Sequence, residues 1–105
     1  QPLSEEALEV YAAPWRGPVG QPAFYRQIAQ MDQRFTDEVE PLYESLECPV
    51  TVLWGERDEW IPLAKGEALA SRISGQPLIQ VLEAGHLVQE DRPEAIIAAM
   101  LRQGA

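Results

Sequence analysis

Cysteine is almost missing from this chain: Cys48 stands alone among 105 residues. Without a second thiol no intrachain disulfide can staple the fold, which fits a reducing compartment and makes cytoplasm the expected location. Histidine is equally scarce, with His86 alone, and one histidine, one cysteine and scattered acids lack the dense spacing of a transition-metal site. Glu56, Asp58 and Glu59 cluster, but without the glycine-centred loop and terminal ligand of a calcium site, so no metal is expected. No glycine-rich phosphate loop is visible and no cofactor is implied. Basic residues are few, eight against seventeen acids, for a net charge of −9. So acidic a chain would approach a nucleic-acid backbone or an anionic membrane surface against repulsion, and neither is an expected partner. No window approaches the roughly 18 to 20 uninterrupted apolar residues that a membrane helix needs. The opening Gln1-Pro2-Leu3-Ser4-Glu5-Glu6 has neither the basic region nor the apolar stretch of a signal peptide. It also has no initiator methionine, which raises the expectation of a piece cut from something longer.

What is present describes a folded chain of one domain or less, 46% hydrophobic and 24% charged. Residues 1–47 hold nine acids and three bases, and residues 48–105 eight and five, so the first segment reads as a solvated outer layer. Ser4 ahead of Glu5 and Glu6 predicts a capped helix, its acids favoured by the dipole, ending near Ala13-Pro14. Trp15 to Gly20 reads as loop. Phe24, Tyr25, Ile28 and Met31 recur at helical spacing, predicting a helix from about Pro22 whose aromatic stripe packs on its neighbours. Thr36-Asp37-Glu38 resembles another helix start, continuing through Pro41 to Leu46.

From residue 48 the pattern changes. Pro49 to Trp54 is an apolar, β-branched run without polar alternation, as in a strand covered on both faces. Leu63 to Ile73 has helical apolar spacing and ends at Ser74-Gly75; Leu78 to Leu82 gives a second strand; Pro93 opens a helix through about Arg102, with Ile96, Ile97, Met100 and Leu101 as its apolar face. The order predicts a right-handed parallel crossover. Two strands alone make an inadequate parallel sheet, so missing sequence or a second copy is expected to complete it.

Asp58 follows the first strand and His86, 28 residues later, follows the second. In parallel sheets reactive groups gather beyond the carboxyl ends of strands, and neighbouring strands lie about 4.8 Å apart. Asp58 can therefore accept a hydrogen bond from one nitrogen of His86, fix its tautomer and leave the other nitrogen as a base. Gly55 permits a tight departure from its strand, and Gly85 a close approach before the histidine. The plainer alternative is a surface aspartate in a turn and a satisfied histidine in a loop. Cys48 sits at the opposite end of its strand, a poor nucleophile and a candidate for partly buried packing. Glu90 and Asp91 are expected to dress the start of the last helix.

Cys48-Pro49-Val50-Thr51-Val52-Leu53-Trp54-Gly55-Glu56-Arg57-Asp58-Glu59-Trp60-Ile61-Pro62 resembles the seventh-strand segment of α/β-hydrolases, and Ala84-Gly85-His86 through Arg92-Pro93-Glu94 resembles their loop after strand eight. The resemblance covers residues 48–103 well. It implies an α/β fold in which residues 1–47 are a cap-like helical segment returning to the core, and residues 48–105 are the carboxyl-terminal β-α-β-α part of the hydrolase core. It further implies Asp58 as the orienting acid and His86 as general base, although some family members carry the acid after strand six. Trp60 and Leu87, adjacent to those motifs, and Trp15 in the cap-like segment are the candidates for lining a substrate cavity. The family's nucleophile elbow has no counterpart: none of Ser4, Ser45, Ser71 and Ser74 is flanked by the required glycines. The chain alone is thus expected to be inactive. The complete protein's substrate is expected to be a small apolar ester, amide, epoxide or halide. A non-catalytic self-association module that retains a hydrolase-like crossover is the alternative.

Overall fold

The computed structural model describes residues 2–104; Gln1 and Ala105, the outer ends of the two expected segments, lie outside them. The described residues divide into two compact units, 2–40 and 41–104.

The amino-terminal unit is helical. In α1 (Glu5–Ala12) Ser4 caps the first turn, its Oγ accepting from the Ala7 N–H at 3.1 Å, so one of the unpartnered amides of a helix start is satisfied. A 3-10 turn, Ala13–Trp15, follows, and α2 runs Gly17–Ala29. The expected loop from Trp15 to Gly20 is therefore largely helix. Pro18 falls in the first turn, where its missing N–H has no partner to lose, and Pro22 in the second, where it forfeits one bond. The expected packing of the aromatic stripe is not found: Tyr25 and Ile28 are 61% and 52% exposed, and Phe24 makes edge-on ring contacts with Trp15 and Tyr25 instead. Met31 lies beyond the helix. Next, α3 spans only Arg34–Asp37. Its start signal is Asp32, whose Oδ1 accepts from the Arg34 N–H at 3.0 Å, and Thr36 lies inside the turn. The expected continuation to Leu46 becomes a 3-10 stretch, Glu40–Ser45, since Pro41 cannot donate to an α-helical ladder.

The second unit carries the α/β pattern: β1 (Leu53–Gly55), α4 (Leu63–Ile73), β2 (Ile79–Val81), α5 (Val88–Asp91) and α6 (Pro93–Gln103). The strands pair in parallel, with Leu53, Trp54 and Gly55 opposite Ile79, Gln80 and Val81. Bonds extend past both ends, Ile79 N–H to Val52 O at 2.8 Å and Glu56 N–H to Val81 O at 3.0 Å. Both strands are shorter than their apolar runs, because each has one paired edge in a sheet of two strands among the described residues. The expected double covering of β1 is likewise incomplete, with Leu53 and Trp54 half-buried and only Gly55 buried. Cys48, ahead of the paired residues, is exposed rather than partly buried.

Helix α4 has the expected limits, and its end is tied off where Ser74 donates through both its N–H and its Oγ to the Ala70 carbonyl. Its buried Gly66 faces the Trp54 indole so closely that a Cβ there would lie 2.4 Å from Cδ2; helix and strand touch because that residue has no side chain. The Arg72 guanidinium, near the other end of α4, sits over the Tyr43 ring and 3.6 Å from Glu44. Among the described residues the buried apolar core consists of small or short residues, Ala70, Val81, Ala84 and Ala99, with no large side chain fully enclosed. On α6, Ile97, Met100 and Leu101 of the expected apolar face are 58 to 71% exposed. Half-covered strands, an uncovered helix face and a core of this size are the marks of an incomplete sheet layer. No helix among the described residues is long and apolar enough to cross a membrane.

At Gly55 the backbone is crowded: a Cβ there would fall 2.2 Å from the Gly85 carbonyl oxygen and 2.5 Å from that of Ala84. Both obstacles are backbone, so relief requires moving the two strand-following loops apart. Gly55→Ala is expected to destabilise the chain by about 1–3 kcal/mol, the usual cost of overpacking. A urea midpoint equal to that of the unmodified chain would contradict this.

Candidate active site at the strand ends

Beyond β1 and β2 the two following loops are laced together. Arg57 N–H donates to the Ala84 carbonyl at 2.9 Å, and Glu56 Oε1 accepts from the Glu83 N–H at 2.8 Å. Glu83 holds a left-handed backbone at φ 57°, a conformation unfavourable for a residue with a Cβ. Its side chain is bound by Arg92. The lacing sets Asp58 and His86 face to face: His86 Nδ1 lies 2.9 Å from Asp58 Oδ2.

The carboxylate is well held. Its Oδ1 accepts from the backbone N–H groups of Trp60 and Ile61, each at 2.9 Å. Ile61 is gripped at its other end too, where its carbonyl accepts from the Trp54 indole N–H at 3.1 Å. The Asp58 side chain is only 5% exposed, whereas that of His86 is 37% exposed. Burial on its own pushes the Asp58 carboxyl up, but the Ile61 N–H, the His86 ring and the Trp60 N–H together outweigh it and hold the group below its ordinary value. An ionised carboxylate only accepts, so Nδ1 carries the shared proton, and in the neutral form of the ring Nε2 then carries the lone pair. Such an arrangement can take a proton at Nε2 while the aspartate stabilises the resulting imidazolium.

Trp60, adjacent to the acid, lies against the base: its indole stacks on the His86 ring with centroids 5.1 Å apart and planes 19° apart. Leu87 follows His86 and is 37% exposed. Trp15 belongs to the amino-terminal unit, where it meets Phe24 at a centroid distance of 5.8 Å. The carboxyl-terminal unit therefore brings together Asp58, His86 and Trp60.

Two contacts in this constellation were not foreseen from the sequence. Asp91, expected to dress the start of the last helix, turns back to accept from the Gly85 N–H at 2.8 Å, pinning the peptide just before His86. The unforeseen single turn α5 brings it there. That of Glu56 with the Glu83 N–H is the other, and nothing in one sequence separates these acids from the solvated carboxylates around them. The roles of the glycines also shift. The close approach falls at Gly55, whereas a Cβ at Gly85 would meet Asp91 Oδ2 at an ordinary 3.5 Å. No cluster of His, Cys, Asp or Glu among the described residues is arranged to hold a metal ion.

A parallel strand pair with a crossover helix, an acid beyond one strand and a histidine beyond the next, fits the carboxyl-terminal part of an α/β-hydrolase fold. The chain is similar to an α/β-hydrolase fold protein from Burkholderia ambifaria, whose crystal structure matches 97% of it with 58% identity and a TM-score of 0.90, over 38% of that protein. It is also 25% identical over 95 residues to an uncharacterized hydrolase, YugF, of Bacillus subtilis, across 90% of this chain and 33% of that one. No family model matches. The chain thus spans 33 to 38% of the length of the proteins it resembles.

The depressed Asp58 value fixes the sign of a pH effect. A group with a lowered folded value contributes stability that is complete above the unfolded value, about 3.9 for aspartate, and is lost as pH falls through the folded one. The stability advantage of the unmodified chain over Asp58→Asn is expected to be full at about pH 5 and to shrink progressively below about pH 4. Urea titrations at a series of pH values check this, and an advantage unchanged down to pH 2 would contradict it.

Proposed function

We propose that this chain is the part of an α/β-hydrolase that supplies the acid and the base of a hydrolytic triad, with Asp58 orienting and His86 relaying the proton. The observation that carries the reading is the 2.9 Å contact between the His86 ring and a buried carboxylate whose other oxygen is held by two amides. In the complete protein His86 Nε2 would take the proton of a serine hydroxyl, or of a water in an aspartate-based reaction, and return it to the leaving group. The Asp58 carboxylate offsets the charge on the ring meanwhile. The substrate is a small apolar ester, amide, epoxide or halide, and the helical segment before residue 48 is the end of a cap. The nucleophile and the oxyanion donors belong to sequence outside this chain, so the chain by itself turns nothing over.

Two preparations test this. The isolated chain is expected to show no ester hydrolysis dependent on His86; activity that survives purification and disappears in His86→Ala would overturn the claim of inactivity. The second is a chimera in which the chain replaces the matching 38% of the Burkholderia ambifaria protein, assayed on a panel of small esters, amides, epoxides and haloalkanes. Turnover is expected, falling by about 10⁴-fold in Asp58→Asn, as when a triad histidine loses its orienting acid. Turnover indifferent to both Asp58→Asn and His86→Ala would sink the proposal.

A second reading, a non-catalytic module that associates with its own copies, is favoured by the exposed Ile97, Met100 and Leu101 on α6 and by the two unpaired sheet edges among the described residues. It predicts a dimer or larger species of the isolated chain. Sedimentation showing a stable, well-packed monomer at high concentration would count against it.

A further inference from the structure

We infer that Trp60 is a positioning residue for His86, the side chain that fixes the plane of the imidazole. The inference rests on the triad reading for its purpose and on separate geometry for its support. Trp60 is 81% exposed, so core burial does not hold its indole in place. The indole lies in a near-parallel stack on the imidazole, with 5.1 Å between centroids and 19° between planes. Its backbone N–H meanwhile donates to Asp58 Oδ1 at 2.9 Å. One residue thus grips both members of the pair, the carboxylate through its main chain and the ring through its side chain.

A single hydrogen bond from Nδ1 does not by itself set the tilt of the His86 ring about the bond axis. A flat indole against one face fixes that tilt and keeps Nε2 aimed in one direction. The sequence reading made Trp60 a cavity wall, but one of its two faces is taken by the base itself.

Because His86 is the only histidine, its ring gives one unambiguous set of NMR signals. At one fixed, mildly alkaline pH the ring protons of the unmodified chain are expected upfield of an unstructured histidine, with cross-relaxation to the Trp60 indole and a single Nδ1–H tautomer. Trp60→Ala is expected to abolish the upfield displacement and to turn the single tautomer signal into a mixture, while Trp60→Phe restores part of both. Ring signals at unstructured positions in the unmodified chain, or signals unchanged in Trp60→Ala, would overturn the inference. If Trp60→Ala fails to fold, the presence or absence of indole-to-imidazole cross-relaxation in the unmodified chain decides alone. In the chimera, Trp60→Ala should lower kcat with KM little changed. A rise in KM alone would mark a substrate wall and defeat the positioning role. The two readings fail separately: a missing Nδ1–H signature with the stack intact counts against the triad, and a missing stack with that signature intact counts against Trp60 alone.

Discussion

The geometry of the candidate site depends on how closely two loops approach one another past the strand ends. Parallel pairing of β1 with β2 sets the register, and the absence of a side chain at Gly55 lets the backbone at Ala84 and Gly85 come within van der Waals range of it. Every later contact follows from that closeness: the Arg57 amide on the Ala84 carbonyl, the Glu56 carboxylate on the Glu83 amide, and the Asp58 carboxylate on the His86 ring. Residues 28 apart in sequence meet with little hydrophobic core to support them, since the buried apolar side chains among the described residues are three alanines and a valine. Order here comes from hydrogen bonds between loops, each modest in net worth but mutually reinforcing where water is excluded.

Charge and burial divide the labour within the pair. Asp58 is enclosed and saturated with donors, which is what keeps a carboxylate ionised against desolvation. The His86 side chain is 37% exposed. A buried acid fixing an accessible base is suited to relaying a proton, because the acid need not move or change charge while the ring does. The loop that carries the acid is itself restrained at Ile61, whose amide and carbonyl are both engaged.

Much of this arrangement was legible in the sequence, and for identifiable reasons. The helix from Leu63 to Ile73 has an unbroken apolar spacing and a Ser-Gly stop, and the structure returns those limits. Asp58 and His86 stand at the ends of apolar runs, where a parallel sheet directs its reactive groups. What was not legible depended on partners distant in sequence. The strands came out shorter than their apolar runs because pairing, rather than propensity, sets where a ladder stops. The stripe of Phe24, Tyr25 and Ile28 resembled packed core, but periodicity reveals only which residues share a face and not whether anything covers it. Asp91 was assigned to a helix start because its reach back to Gly85 depends on the one-turn α5, too short to leave a periodic trace.

The connections that position the acid and the base run between loops, and neither outer edge of the strand pair takes part in them. Strands appended on either flank would leave those loop-to-loop bonds in place. A lineage built on this fold could thus rework its specificity while inheriting this corner as a transferable cassette.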